Sequence, residues 1–271
     1  QPNAMGDREV GGLAHQLAAH MDFSNSKDIE RVARFWNTNT IARKPGYAAV
    51  DLFNAIHDGK VKAIWIMGTN PVVSLPNADK VKKALQRCDF VVVSDCISET
   101  DTTALAHVKL PALGWSEKDG TVTNSERRIS RQRALFEPAG SAKPDWWIVT
   151  QVARRMGYEH AFHYTRSVEI FREHAALSGY ENNPQQQVRD FDISAFSEIN
   201  QHDYDQLQPT QWPVNHEYPE GLPRLFGDGH FFTPSGKAQF IAITPRRPIN
   251  LPNQDYPLIL NTGRIRDQWH T

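Results

Sequence analysis

Residues Val61–Met67 (VKAIWIM) and Phe90–Val93 (FVVV) decide the fold class of this chain. Both stretches are short apolar runs rich in β-branched residues. Each ends in residues typical of turns, Gly68 after the first run and Ser94-Asp95 after the second. Runs of this kind are typical of strands that are buried in a parallel sheet. We therefore predict two neighbouring parallel strands.

A helical pattern separates these two runs. Behind a capping residue, Asn77, apolar residues recur at helical spacing, at Val81, Ala84, Leu85 and Cys88. A second helical stretch is predicted over about 99–106, and Val108–Pro111 is predicted to be a third strand. Alternating strands and helices predict an α/β fold with a Rossmann-like, doubly wound parallel sheet. In such sheets, ligands bind outside the carboxyl ends of the strands.

Working outward, the pattern predicts helices over about 26–36, 47–58, 144–156 and 167–177. Residues 115–133 are turn-rich and basic, 181–225 resemble a long polar connector, 231–240 indicate a hairpin and 256–260 indicate a last strand.

We divide the chain into four parts on this basis. Residues 1–46 form a loop and helix that lead into the domain, and residues 47–180 form the Rossmann-like nucleotide-binding domain with a basic insertion. Residues 181–250 form the polar connector and hairpin, and residues 251–271 begin a β-rich domain at the C-terminal end.

Composition excludes several classes of protein. Thirty Lys and Arg residues against 31 Asp and Glu give a net charge of −1, which argues against a nucleic-acid-coating protein. No apolar run approaches the length that crosses a bilayer, so we expect no membrane span. Two cysteines, Cys88 and Cys96, are too few for a disulfide scaffold and fit a reducing compartment.

Two strand ends carry candidate ligand contacts. Gly68-Thr-Asn-Pro is a tight turn where the backbone can approach a phosphate, or it is a plain strand-to-helix turn. After the next strand, Ser94-Asp95 offers a carboxylate for a ribose hydroxyl or a guanine edge, or a helix-capping acid. Together the two turns indicate a ligand that contains a nucleotide.

Other polar groups admit simpler explanations. Four guanidinium groups within seven residues favour a solvated basic face, with burial against phosphates or carboxylates as the alternative; they belong to Arg127, Arg128, Arg131 and Arg133. Lys118 is typical of a surface lysine, and Asp145 is typical of a first-turn acid. His160 and His163 have metal-ligand spacing but no third ligand, so we assign no metal site.

An ordered set of motifs runs the length of the chain. The motifs are QPNAMGDREVGG (1–12), WIMGTNP (65–71), VSD (93–95), LPA (110–112), WSEKDGTVTNSERR (115–128), KPDW (143–146) and TGRIRDQWHT (262–271). This set resembles the molybdopterin oxidoreductases of the DMSO-reductase class. Within that class it is most similar to the bacterial assimilatory nitrate reductases.

The resemblance implies a molybdenum cofactor, bis(molybdopterin guanine dinucleotide), held partly by this chain. Matching motif positions imply cofactor contacts at Asn70, Ser94, Asp95, Lys118 and Asp145. They imply further contacts in the closing turn, at Thr262, Gly263, Arg264, Ile265, Arg266, Asp267, Gln268, Trp269, His270 and Thr271. Gln1 and Arg8 match residues near the substrate funnel, where a guanidinium can orient nitrate through charge and paired N–H donors.

The activity implied is reduction of nitrate to nitrite by oxygen-atom transfer. Electrons would come from ferredoxin, flavodoxin or an NADH-linked subunit through iron–sulfur centres. Neither Cys88 nor Cys96 matches the family's ligands to the four-iron cluster or to molybdenum, so we assign no metal ligand. We expect an internal part of a cytoplasmic enzyme that is inactive without the rest of its polypeptide. The alternatives are a formate dehydrogenase or another oxidoreductase of the class, and a non-catalytic nucleotide-binding module.

Overall fold

The computed structural model describes residues 3–260, which form two small sheets flanked by helices. The helices are α1 (Ala4–Glu9), α2 (Ser26–Phe35), α3 (Ala49–His57), α4 (Pro71–Ser74), α5 (Ala78–Arg87), α6 (Asp145–Arg155), α7 (Ser167–Gly179) and α8 (Gln201–Asp205). The strands are β1 (Ala63–Met67), β2 (Phe90–Asp95), β3 (Val108–Pro111), β4 (Gly120–Thr123), β5 (Arg128–Gln132) and β6 (Thr210–Gln211).

Strands β1, β2 and β3 form a parallel sheet in that order. This confirms the predicted α/β class. The sheet is extended by one parallel bridge, because Ala112 pairs with Lys143 immediately before α6 begins. The strand order runs in one direction with no reversal among the described strands. The doubly wound, Rossmann-like completion of the sheet therefore stays a prediction.

Helices α3 and α5 cover one face of the parallel sheet. The α5 helix begins where predicted, since Asn77 accepts a hydrogen bond from the Lys80 N–H (3.3 Å). Its buried side chains pack on the alternate strand residues that point the same way, among them Ile66, Val91 and Val93. On the other face of the sheet, Phe90 and Met67 are 48% and 40% exposed, whereas Ser94 at the end of β2 is buried.

A second core holds α2, α7 and the antiparallel sheet of β4, β5 and β6 together. Its largest fully buried side chains include Trp212, Tyr204 and Phe191. These residues lie in the stretch 181–225, which we predicted to be a polar connector. That interpretation is wrong for this stretch, because most of its large apolar side chains are buried in the second core while several of its polar side chains bond to backbone groups. The four-part division of the chain stays a prediction.

Two further element predictions are corrected. Residues 115–133 contain the antiparallel pair β4 and β5 rather than turns alone. The helix expected over 99–106 is reduced to one 3₁₀ turn, Thr103–Leu105. Hydroxyl groups explain this loss, because Thr103 Oγ1 accepts from the Thr100 N–H (2.7 Å) and competes with helical bonding.

The last described stretch also departs from prediction. At the expected hairpin 231–240, the Phe231 N–H donates to the Gly236 carbonyl (3.0 Å) and closes a turn, without a strand ladder. Residues 256–260 form no strand and are exposed. Within residues 3–260, no helix has the length and apolar character needed to cross a bilayer.

Candidate functional site

Four loops continue from one edge of the parallel sheet. Strands β1, β2 and β3 end at Met67, Asp95 and Pro111, and the Ala112 bridge places Lys143 next in line. Because all four segments run in the same direction, their continuations leave the sheet at the same carboxyl edge. These continuations carry Asn70, Asp95, Lys118 and Asp145, in the order of the strands. We refer to these four residues, which are up to 75 positions apart in the chain, as the row, after the order of the strands that they follow.

The loop after β1 has open space over Gly68, and hydrogen bonds tie it to the neighbouring segments. Gly68 has a φ of +61°, and a Cβ added there would meet no atom within 4 Å. Its N–H donates to the Ser94 carbonyl (2.9 Å), which ties the loop to β2. The Oδ1 atom of Asn70 accepts a hydrogen bond from the Thr102 hydroxyl (2.6 Å). A ligand can therefore approach this backbone closely.

The second loop presents one polar side chain and buries another. Ser94 is 1% exposed, and its hydroxyl accepts a hydrogen bond from the Trp65 indole N–H (2.8 Å). Asp95 is half-buried, and its Oδ1 accepts from the Ile97 N–H (3.0 Å). Asp95 thus closes a turn instead of capping a helix, and its other carboxylate oxygen has no bond among the described residues. Of the pair, Asp95 is the one that faces the edge.

The third and fourth loops meet in an ion pair. Lys118 Nζ lies 2.7 Å from Asp145 Oδ2, and each side chain is 36% exposed. The loop before Lys118 is held by Glu117, whose carboxylate accepts from the Gly114 N–H (2.7 Å) and the Ala139 N–H (3.1 Å). Asp145 is in the first turn of α6, where the helix dipole favours a negative charge. The loops at the carboxyl edge of the sheet therefore carry one positively and one negatively charged side chain in contact.

A cleft of about 640 Å³ opens beside this ion pair. Residues on both sides of Lys118 and of Asp145 line it, together with residues from four other segments. They are Leu113, Glu117, Asp119, Ala134, Leu135, Phe136, Glu137, Pro138, Pro144, Trp146, Arg166, Ser167, Gln201 and Asp205. The lining mixes apolar side chains with charged groups, which is typical of small-molecule sites.

The arginine cluster is not a solvated face. The Arg131 side chain is 3% exposed and pairs with Asp119 (2.8 Å) and Asp205 (3.1 Å). Arg127 donates to the Trp212 carbonyl and lies 5.3 Å from the centre of its ring. The expectation of a basic face is wrong for these two residues, which bind carboxylates and carbonyls inside the second core.

One further predicted site residue, Arg8, falls within the described part of the chain. Arg8 is exposed on α1. Gln1 and the whole closing turn lie outside the described residues; that turn comprises Thr262, Gly263, Arg264, Ile265, Arg266, Asp267, Gln268, Trp269, His270 and Thr271. Within residues 3–260, no three His, Cys, Asp or Glu side chains are grouped as metal ligands.

Sequence reasoning missed two residues behind the row, Thr102 and Trp65. Each donates a hydrogen bond to one of the predicted residues, Thr102 to Asn70 and Trp65 to Ser94. Thr102 lies in a polar run that we predicted to be helical, and no local pattern marks it. Trp65 sits in an apolar strand, where an indole N–H that needs a partner is the one available signal.

Comparison with known proteins identifies relatives along the whole chain. A nitrate reductase from Klebsiella oxytoca is 51% identical over 271 residues, which is 100% of this chain and 30% of that protein. A nitrate reductase from Shewanella frigidimarina is 52% identical over 279 residues, 100% of this chain and 29% of that protein. An F420-dependent formate dehydrogenase subunit alpha from Methanocaldococcus jannaschii is 33% identical, again over 100% of this chain and 37% of that protein. The chain thus spans between 29% and 37% of the length of these relatives.

The sequence profile of one family, described as molybdopterin oxidoreductase, matches residues 8–155. That range is more than half of the chain, and it contains the complete row at the sheet edge. On this match, the chain belongs to the molybdopterin oxidoreductase family.

Proposed function

We propose that this chain is part of a larger nitrate reductase polypeptide and holds one guanine dinucleotide of a bis(molybdopterin guanine dinucleotide) molybdenum cofactor. One observation supports the proposal: the segments that carry Asn70, Asp95, Lys118 and Asp145 follow parallel strands and leave the same carboxyl edge of the sheet. Motif positions alone do not require these segments to share an edge.

The donor set in this row fits the dinucleotide. A guanine edge presents adjacent N–H donors, and the free carboxylate oxygen of Asp95 is an acceptor for them. The Lys118 ammonium and the Asn70 amide N–H groups are donors for phosphate oxygens. Open space over Gly68 leaves room for the backbone to approach such a group. We therefore assign holding and orienting roles to these residues.

When bound, the cofactor would supply the oxygen-atom-transfer chemistry by which nitrate, two electrons and two protons give nitrite and water. The residues of this chain bind and orient the cofactor, and we propose that the exposed Arg8 attracts nitrate and that Gln1 lies near it. The four-iron cluster and the site for a ferredoxin, flavodoxin or NADH-linked donor are proposed to lie in other parts of the polypeptide.

The relatives at 51% and 52% identity, both named nitrate reductase, support nitrate over formate as the substrate. The test is to assay the full-length polypeptide with nitrate and reduced dye, and with formate and oxidised dye. We expect turnover of nitrate only. Oxidation of formate without reduction of nitrate would overturn the substrate, and a full-length protein without molybdenum would favour the non-catalytic module.

Substitution of Asp95 tests the row itself. In the full-length polypeptide, Asp95→Ala removes the free acceptor, so we expect at least about tenfold less guanine nucleotide and molybdenum per protein. The matched control is Asp89→Ala, because Asp89 is exposed immediately before β2, at the opposite edge of the same sheet. Normal cofactor content in the Asp95 variant would contradict the assigned contact.

We also propose a cytoplasmic location. The support is that Cys88 and Cys96 are both free thiols, as expected in a reducing compartment. Cell fractionation of the native host with an antibody against this chain tests the location, and recovery in the periplasm would contradict it.

A further inference from the structure

Asn70 occupies the N-cap position of the short helix α4 but its side chain does not cap that helix. An asparagine in this position normally accepts a hydrogen bond from the second or third helical N–H through its own Oδ1. Here Oδ1 is engaged elsewhere, by the hydroxyl of Thr102 at 2.6 Å. The side chain of Asn70 therefore does not cap α4, although its position predicts that it would.

Thr102 performs the capping instead. Its Oγ1 accepts the N–H of Val72, the second residue of α4, at 3.3 Å. Thr102 is fully buried, so this hydroxyl has no access to water. One side chain from the segment after β2 therefore serves both the backbone of α4 and the side chain of Asn70.

These two bonds fix the orientation of the Asn70 amide. Because Oγ1 already accepts from Val72, the hydroxyl proton of Thr102 is available to donate, and Oδ1 of Asn70 is the acceptor beside it. The reversed amide would leave that buried proton without an acceptor, which is costly. The Nδ2 group of Asn70 has no partner among the described residues and is left to donate.

We infer that Thr102 is a positioning residue that turns the Asn70 amide so that its N–H groups meet an acceptor oxygen of the bound ligand. The inference rests on the proposed function, since it takes Asn70 to be a contact of the guanine dinucleotide. Phosphate and carbonyl oxygens are the acceptors that this arrangement suits. An amide that is already oriented in the free protein binds the ligand more tightly, because less conformational entropy is lost on binding.

The test uses the full-length polypeptide and the rate at which the purified protein loses guanine nucleotide during dialysis. Thr102→Val removes the hydroxyl at nearly constant volume, and we expect about five- to tenfold faster loss. Thr102→Ser keeps the hydroxyl and restores the wild-type rate. The control is Thr103→Val, since Thr103 is equally buried but its hydroxyl bonds to the Ser98 carbonyl (3.1 Å) instead of Asn70.

A double-mutant cycle separates positioning from general destabilisation. If Thr102 acts through Asn70, Thr102→Val has no further effect once Asn70→Ala is present. Additive effects, or a Thr102→Val protein that loses nucleotide at the wild-type rate, overturn the inference and leave the proposed function standing. A wild-type protein that contains no guanine nucleotide overturns the proposed function itself.

Discussion

At the scale of single residues, the second core contains titratable side chains that are buried in whole or in part. Glu9 is 4% exposed, and its carboxylate accepts hydrogen bonds from the Trp212 indole (2.6 Å) and the Thr123 hydroxyl (2.8 Å). Burial raises the pKa of Glu9 despite these two bonds. Glu9 and His174 both line a small cavity of about 110 Å³, and the Nε2 atom of His174 is buried without a partner among the described residues. The two groups therefore make stability depend on pH.

His174 provides the first prediction. Burial lowers the pKa of His174 from 6.5 to about 4, so the folded protein keeps this ring neutral while the unfolded chain takes up a proton. Stability is therefore full above pH 6.5 and is lost as the pH falls toward 4. The loss is at most about 3 to 4 kcal/mol, since the pKa falls from 6.5 to about 4 and one pKa unit corresponds to about 1.4 kcal/mol.

Urea unfolding of the wild type and of His174→Gln over this pH range measures the effect. We expect the variant to show a flatter pH dependence, because glutamine does not titrate. The matched control is His202→Gln, since His202 is exposed on α8. Equal pH slopes for His174→Gln and the wild type would contradict the assignment.

The Lys118–Asp145 pair gives a prediction that separates function from stability. Both side chains are partly exposed, so the pair adds little to stability, and Lys118→Met should change the free energy of unfolding by less than about 1 kcal/mol. The same change removes a proposed phosphate donor, so guanine nucleotide content should fall at least about fivefold.

The chain offers a close control for this variant. Arg43 pairs with Glu30 at the same N–O distance, 2.7 Å, and is likewise exposed. Arg43→Met should have an equally small effect on unfolding and no effect on nucleotide content. Nucleotide loss of equal size in both variants would count against a local role for Lys118.

At the scale of elements, helices and strands are predicted best from the sequence where the local pattern of apolar residues matches their packing. Strands β1 and β2 are apolar on both faces, and Asn77 caps α5, so their type and position follow from local pattern. Strands β4 and β5 carry polar and charged residues on much of their length and were missed. Their pairing depends on side chains from residues 204–212, which no local pattern can reveal.

Arg131 shows this long-range dependence and provides the third prediction. Its guanidinium donates to the Tyr204 carbonyl (3.0 Å), pairs with Asp119 and Asp205, and lies 4.1 Å from the Tyr204 ring centre. Arg131→Met removes these bonds from a buried position, so we expect a loss of about 2–4 kcal/mol in the free energy of unfolding.

Arg128 is the control for this change. It lies on the same strand, β5, but its side chain is 39% exposed, and its Nε atom is 3.9 Å from Oε2 of Glu126. Arg128→Met should cost less than about 1 kcal/mol by the same chemical denaturation. Similar losses in both variants would show that the buried contacts of Arg131 do not stabilise the sheet.

At the scale of the whole molecule, topology rather than local pattern assembles the candidate site. Motifs could predict Asn70, Asp95, Lys118 and Asp145 singly, and the parallel sheet brings their loops to one edge. The buried residue Thr102 could not be predicted, because its role appears only once β1 and the segment after β2 are neighbours. Residues that could contact a ligand are thus easier to predict from the sequence than the buried residues that hold them in place.

The uncovered face of the parallel sheet provides the last prediction. Helices α3 and α5 pack on one face, whereas Met67, Phe90 and Val108 remain 40%, 48% and 37% exposed on the strands. Parallel sheets are normally buried on both faces, so the 271-residue chain by itself should associate through this apolar surface. Sedimentation velocity should show an average mass that rises with concentration.

A charge in this surface should oppose the association. Phe90→Glu introduces a carboxylate where the side chain is already half exposed, so the fold should tolerate it while the association constant falls by about tenfold or more. The control is Val73→Glu, because Val73 is 65% exposed on α4 and takes no part in the sheet. If both variants associate as strongly as the wild type, the contact lies elsewhere. If only Val73→Glu weakens the association, the chain associates through helix α4 and not through the sheet.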